Sequence, residues 1–379
     1  MSASIYLDYN ATTPVAPEVA EAIQPFLYGL FGNPSSSHSY GRAAADAMAG
    51  AKHQVARLIG AEDDEIVFTG TATEANNTAL LGAASALADT ARRHIVVSAV
   101  EHPAVMQPVL HLRSQGWDVS LVPVDSAGCV LMSAIDEALR PDTALVSIMH
   151  ANNEVGTIQP LAEIARRARA LGILVHTDAA QSIGKIGVNV DALGVDLLTM
   201  AGHKFYAPKG IGALYVRRGT PLRRILFGAD QEWGLRPGTE NVALSVGLGV
   251  AAELAHKLLP QVGAMRRKRD ALHEQLTAQV PGLQLNGHFA ERLPNTLNVS
   301  FPGVDGADLL ARAPQVAAST GSACHSGRRE ASGVLAAMGK SYEAARGAVR
   351  LSVGRDTTDE DVQRAAQGLV QAWRQLREA

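Results

Sequence analysis

Cysteine is nearly absent from this chain: Cys129 and Cys324 are the two examples in 379 residues. Two thiols do not make a disulfide framework, so a reducing cytosol is the natural setting. An excess of one charge is also missing. The net charge is −3, from 37 acidic and 34 basic residues, and nothing in it suggests a nucleic-acid or membrane-surface partner. No apolar run reaches the ~20 residues of a membrane span. The opening residues, Met1-Ser2-Ala3-Ser4-Ile5, lack a basic region followed by an apolar core, so no secretory signal is expected. There are no internal repeats or low-complexity tails, and no metal site is expected. What remains is a cytoplasmic globular protein. Its 47% hydrophobic and 19% charged residues suit that class, and 379 residues can carry two domains with full cores.

Two apolar runs carry the chemistry. Val195–Met200 ends in Ala201-Gly202-His203-Lys204, and Pro208 and Gly210 stop any regular element beyond it. A buried, partly desolvated Lys has a depressed pKa and can form a Schiff base with a carbonyl cofactor. Alone, Lys204 could equally be a surface Lys behind a core strand. The second run, Ile173–Val175, leads into His176 and Asp178. Pyridoxal phosphate needs a carboxylate at its ring nitrogen, to keep the pyridinium protonated as an electron sink. An Asp at the C-terminal end of one parallel strand, with the Lys after a later one, meets that need. Open α/β sheets bind ligands at that edge. The Asp–Lys pair at this spacing resembles fold-type I pyridoxal-phosphate enzymes. No other Lys is expected beside the ring site.

Helices are expected over Ala16–Leu27 and from Gly41 to Leu58. Glu65–Phe68 reads as a short strand, followed by Thr69-Gly70-Thr71-Ala72-Thr73-Glu74. This strand, small-residue loop and helix form a phosphate cradle. Backbone N–H groups and the helix dipole favour an anion there, and Thr73 can add a hydroxyl. A β-branched strand, His94–Val100, is ended by Glu101-His102-Pro103. His102 sits where a side chain could stack on a cofactor ring and move protons near neutral pH; a capping or core His is the bland alternative. Cys129 has no base nearby and reads as a small buried residue. Strands and helices alternate from about 66 to 216, which implies a mainly parallel sheet with helices on both faces. Gly228–Asn241 is Gly-rich, charged and irregular, and an ordered loop of that length is usually functional. A long helical region, Val242–Gln279, follows. The domain boundary is placed inside it, giving a large domain over 15–255 and a small α+β domain from 1–14 and 256–379.

Cys324 lies among small and polar residues, with His325, Arg328 and Arg329 close in sequence. Electropositive surroundings favour the thiolate, and a thiolate on a mobile arm can reach into a site and leave it again. At this point the chain resembles a group I cysteine desulfurase, from Tyr6 to about Arg374. The motifs that carry the likeness include Asp8-Tyr9-Asn10-Ala11-Thr12-Thr13-Pro14, Thr73-Glu74-Ala75-Asn76-Asn77, Glu101-His102, Asn152-Asn153-Glu154-Val155-Gly156, His176-Thr177-Asp178-Ala179-Ala180-Gln181, Gly202-His203-Lys204 and Gly321-Ser322-Ala323-Cys324. Selenocysteine lyases share most of these. Ala323-Cys324-His325-Ser326, Gly202-His203-Lys204-Phe205-Tyr206 and Arg350-Leu351-Ser352-Val353-Gly354-Arg355 look more like that branch.

The resemblance implies conversion of L-cysteine to L-alanine, with the sulfur left on Cys324 as a persulfide for an acceptor protein such as an iron–sulfur scaffold. The alternative is release of selenide from L-selenocysteine. It implies that Lys204 carries pyridoxal phosphate as a Schiff base, Asp178 holds the ring nitrogen, Gln181 contacts the phenolic oxygen and His102 stacks on the ring. Ala72, Thr73 and His203 would hold the phosphate. Thr239 would reach the phosphate of a partner subunit, which implies a homodimer. Asn152 and Arg350 would bind the substrate carboxylate. Three stretches depart from the family pattern. Gly70-Thr71 stands where Ser-Gly is usual. Ala201 replaces a phosphate-binding Ser. Ala229 and Asp230 replace two Gly residues, which adds a carboxylate to a loop expected to face the site.

Overall fold

The computed structural model describes residues 4–320 and 332–378. Cys324, with His325, Arg328 and Arg329, lies outside the described residues. The chain opens on a two-residue strand, β1 (Ile5–Tyr6), and then builds a seven-stranded sheet. Its strands are β2 (Ile66–Thr69), β3 (His94–Ser98), β4 (Asp118–Val122), β5 (Thr143–Ser147), β6 (Leu174–Asp178), β7 (Leu197–Ala201) and β8 (Gly212–Val216). The spatial order is β2-β8-β7-β6-β5-β3-β4. Only β8 runs against its neighbours; the other pairs are parallel. Strands β2, β3, β5 and β7 are buried along their whole length, which explains why they read as continuous apolar runs.

Successive residues of a strand point to opposite faces, and the sheet accordingly separates two cores. Val96, Val146 and Val175 face a core that includes Val55, Ile59 and Leu248. Val97 and Leu145 face the other, with Leu80, Ala83 and Val109. This is the mainly parallel α/β sheet with helices on both faces that the alternation of elements implied.

Helix Val242–Leu258 packs against helices Pro17–Tyr28 and Ser39–Ile59. By length and composition Val242–Gln261 could cross a membrane, contrary to the expectation that no stretch would pass that test. Half of it is buried inside the protein, as suits a core helix. Gly249 lets it close on its neighbour: a Cβ there would stand 2.7 Å from the Ala51 Cα. The helical region beyond is broken by a short turn at Leu259–Gln261, where Pro260 interrupts the backbone ladder, and resumes at Gly263–Gln279.

A third core contains Leu7, Leu272, Leu297, Val299, Leu351 and Leu369. It belongs to a smaller antiparallel sheet, in which β10 (Thr296–Ser300) lies between β9 (Gln284–Asn286) and a later strand, β12 (Ala348–Ser352). Between β10 and β12 in sequence, β11 (Val316–Ala317) pairs in parallel with β1. Helix Asp359–Glu378 covers this core with Val362, Ala365, Ala366 and Leu369, spaced three and four apart on one face.

Candidate active site

The C-terminal edge of the main sheet opens into a cavity of about 650 Å³, lined by residues from nearly every adjoining segment. Strand β6 ends at Asp178, and the turn after it brings Gln181. Strand β7 ends at Ala201, and one helical turn, Gly202–Lys204, carries His203 and Lys204 to the same space. The two strands are parallel neighbours, so the carboxylate and the amine reach one edge.

The Lys204 Nζ donates to the carbonyls of Asn10 at 2.7 Å and Ala11 at 2.8 Å. Burial pulls its pKa down to about 8, and the Arg350 charge pulls the same way against Asp178 and Asp8. The amine is therefore partly neutral near physiological pH, which a nucleophile or base requires. Asp178 is 7% exposed. Its Oδ2 accepts from Asn76 Nδ2 at 2.7 Å and its Oδ1 from the Ala180 N–H at 2.9 Å, so the carboxylate is held in one orientation.

The start of helix Ala72–Ala86 borders the cavity, which Ala72 and Thr73 line. Thr71 caps this helix, its hydroxyl accepting from the Glu74 N–H at 3.1 Å. Glu74 braces the loop by accepting from the Gly70 N–H at 2.8 Å and pairs with Arg236. Gly212 lets β8 pass close by: a Cβ there would lie 2.7 Å from the Met200 carbonyl and 3.1 Å from the Ala72 nitrogen. His203 contacts the Thr12 hydroxyl at 3.1 Å. Burial, then the charge on Lys204, takes its pKa down to about 4, so it is a neutral imidazole at pH 7.

His102 both caps a helix and lines the cavity. Its Nδ1 accepts from the Ala104 N–H at 3.1 Å, capping helix Pro103–Ser114, and its ring lines the cavity. With Nδ1 accepting, the neutral ring carries its proton on Nε2. Glu101 anchors the same loop from behind, accepting from the Ser98 hydroxyl at 2.6 Å and the Met149 N–H at 2.9 Å. Burial pushes its pKa up to about 8.

Arg350, on β12, is 6% exposed and reaches the cavity wall from the smaller sheet. Its Nη2 pairs with Asp8 Oδ1 at 2.8 Å and its Nη1 donates to the Asn153 carbonyl at 3.0 Å. The buried Nε has no partner among the described residues.

Several sequence expectations need correction. Asn152 does not line the cavity, whereas Ala151 and Asn153 do. Its Oδ1 accepts from the N–H groups of Glu154 and Val155 and its Nδ2 donates to the Val100 carbonyl, so its amide is consumed in shaping the loop. Thr239 is no exception to its expectation: it is exposed and away from this chain's own cavity, as a residue meant for a partner subunit's phosphate would be. The Asp230 carboxylate, whose effect the sequence left open, stands in solvent beside Arg224 at 3.2 Å. Cys129 is half-buried, not buried, and burial pushes its thiol pKa up. Lys204 is not the only Lys beside the site: Lys209 lines the cavity, and Lys185 lies behind Gln181. Sequence reasoning also missed Asp8, Asn10 and Asn76 as single residues, although all three stand in the motifs already quoted. Among the described residues, no group of three His, Cys, Asp or Glu could hold a metal.

Residues 5–365 match the aminotransferase class-V family. The chain is 46% identical over 365 residues to "Cysteine desulfurase IscS" of Dictyoglomus turgidum, across 96% of this chain and 92% of that protein. It is 47% identical over 366 residues to a cysteine desulfurase of Gluconacetobacter diazotrophicus, across 95% and 91%. A solved structure of a NifS-like protein matches with a TM-score of 0.91 at 37% identity, over 97% of this chain and 98% of that one.

Proposed function

This chain belongs to the aminotransferase class-V family and is a pyridoxal-phosphate-dependent cysteine desulfurase, and from that premise we propose how its residues divide the reaction. Pyridoxal phosphate, when bound, supplies a carbonyl for the substrate amino group and a ring that draws electrons from the adjacent carbon. The residues fit such a group. Asp178, fixed by Asn76 and Ala180, serves the ring nitrogen. Ala72, Thr73 and His203 hold the phosphate at a helix N-terminus. Gln181 serves the phenolic oxygen, and His102 covers the ring.

Arg350 takes the substrate carboxylate, for which a planar guanidinium is suited. Lys204 takes the proton from the substrate α-carbon, because its depressed pKa leaves a neutral fraction for the task. The Cys324 thiolate attacks the substrate sulfur. The S–S bond forms as the Cβ–S bond breaks, and the carbon takes a proton to become the methyl group of alanine. One sulfur moves, and no proton is gained or lost overall. Support for an arm that reaches this cavity comes from its described ends. Ser319 lines the cavity and exchanges backbone hydrogen bonds with Arg350, and the Ser332 hydroxyl donates to Glu154.

The single observation that carries this reading is that Lys204 and Asp178 meet in one cavity, delivered by adjacent parallel strands. The relatives are named cysteine desulfurases, so the selenocysteine lyase alternative is not favoured. The persulfide passes to an acceptor protein, such as an iron–sulfur scaffold, in the cytoplasm. The protein acts as a homodimer whose partner phosphate Thr239 reaches. Exposed Tyr28, Phe31, Phe227 and Trp233 supply apolar surface for that contact, Phe227 being 87% exposed. The test is alanine release from L-cysteine and L-selenocysteine by the wild type and by Cys324→Ala. Loss with cysteine and retention with selenocysteine are expected, because a selenol leaves more readily. Full cysteine activity without Cys324 excludes the persulfide route.

A further inference from the structure

Lys185 takes no part in the scheme above, yet it is 5% exposed and sits four residues beyond Gln181. Burying an amine is costly, so its place needs an account. Its Nζ donates to Gln181 Oε1 at 2.8 Å. Gln181 Nε2 donates to the Asn10 carbonyl at 3.0 Å, and that same carbonyl accepts from Lys204 Nζ at 2.7 Å. Asn10 itself is clamped. Its Nδ2 donates to the Thr296 hydroxyl at 2.8 Å, its Oδ1 accepts from Asn295 Nδ2 at 2.9 Å, and its N–H reaches the Ser352 hydroxyl at 2.9 Å. Lys185, Gln181, Asn10 and Lys204 thus form one chain of hydrogen bonds on a fixed anchor.

The amide of Gln181 can sit in this chain only one way. The Asn10 carbonyl accepts and cannot donate, so it must face Nε2, and Oε1 is left for Lys185. One Nε2 hydrogen remains, and Gln181 lines the cavity. Lys185 does not line it. Without Lys185, Oε1 would be a buried acceptor with no partner, and the amide would turn to find one.

We propose that Lys185 is a positioning residue, which binds Oε1 so that Gln181 offers an N–H to the phenolic oxygen of pyridoxal phosphate. The inference rests on the reading of this cavity as the cofactor site. Burial, then the charges of Lys204 and Arg350, moves the Lys185 pKa well below its ordinary range. Its role in the chain is that of an N–H donor to Oε1.

The test compares the holoenzymes of wild type, Lys185→Met, Lys185→Gln, Gln181→Leu and the Gln181→Leu/Lys185→Met double variant. The readouts are the dissociation constant for pyridoxal phosphate and the absorption spectrum of the bound cofactor. Lys185→Met is expected to weaken cofactor binding about tenfold, or about 1.4 kcal/mol, and to shift the absorption band. Lys185→Gln keeps a neutral N–H donor and is expected to recover both. In the Gln181→Leu background, Lys185→Met is expected to change neither. Should Lys185→Met not fold, Lys185→Ala carries the same comparison. Wild-type affinity and spectrum in a folded Lys185→Met protein would overturn the proposal, as would an equal loss in the Gln181→Leu background. A wild-type protein that takes up no pyridoxal phosphate would instead sink the reading of the cavity itself.

Discussion

Replacing Arg350 with Met should slow cofactor uptake at neutral pH by changing the protonation of Lys204. Burial is the main cause of the depressed Lys204 pKa, and the Arg350 charge is the next. An amine with a pKa of about 8 is about 20% neutral at pH 7.4, against roughly 0.1% at the ordinary value for Lys, a difference of about 200-fold. Arg350→Met removes a cation and also frees Asp8, now paired with it at 2.8 Å. Both changes favour the protonated amine. Removing one nearby unit charge in a medium of effective dielectric near 20 is worth on the order of 1.4 kcal/mol, about one pH unit. The neutral fraction at pH 7.4 should then fall about eightfold. The assay mixes apoprotein with pyridoxal phosphate and follows the growth of cofactor absorbance by stopped flow from pH 6 to 10. No substrate is present, so the proposed role of Arg350 in carboxylate binding does not enter. The wild-type rate should rise with pH through a midpoint near 8. The variant midpoint should lie about one pH unit higher, with the two rates converging above it. A wild-type midpoint near 10, or an unmoved midpoint in Arg350→Met, would refute the reasoning.

Three further outcomes follow from the same structure. Glu101 holds a proton up to about pH 8 when folded and loses it near 4.5 when unfolded. Its contribution to stability is complete below 4.5 and is lost as pH rises to about 8. Between pH 5.5 and 8 the wild type should therefore lose roughly 2–4 kcal/mol relative to Glu101→Gln, read as a larger fall in melting temperature. Gly212→Ala places a Cβ against backbone at Met200 and Ala72, which cannot give way cheaply. It should shift the start of helix Ala72–Ala86 and weaken pyridoxal-phosphate binding several-fold by equilibrium dialysis, with unchanged binding counting against that cradle. Ala201→Ser restores a hydroxyl at a cavity-lining position. It should tighten the cofactor by about 1–2 kcal/mol, and unchanged retention would mean that the anion is already fully bonded.

Much of the site was legible in the chain because its key residues follow buried parallel strands. Such strands read as unbroken apolar runs, and their ends are where the polar residues begin. Asp178 and Lys204 could be found in that way, each at the end of a run, and Ala72 and Thr73 by the strand, small-residue loop and helix around them. Asn152 failed for a physical reason. An Asn at the start of a turn can spend its whole side chain on backbone groups, and sequence does not say whether it does. The place of Asp230 stayed open for a similar reason, because a loop's composition does not tell which of its side chains face the protein and which face water.

By itself the sequence determined the α/β architecture and that Asp178, Lys204, Ala72 and Thr73 would stand at strand and helix ends, since these depend on local pattern and on the order of elements. Only the tertiary structure decided that Asp8 would face Arg350, that Asn76 would hold Asp178, and that Lys185 and Lys204 would be joined through Gln181 and Asn10. Those contacts join residues up to 342 positions apart. Their energies come from burial and from mutual geometry, and neither exists until the two sheets have closed around the cavity.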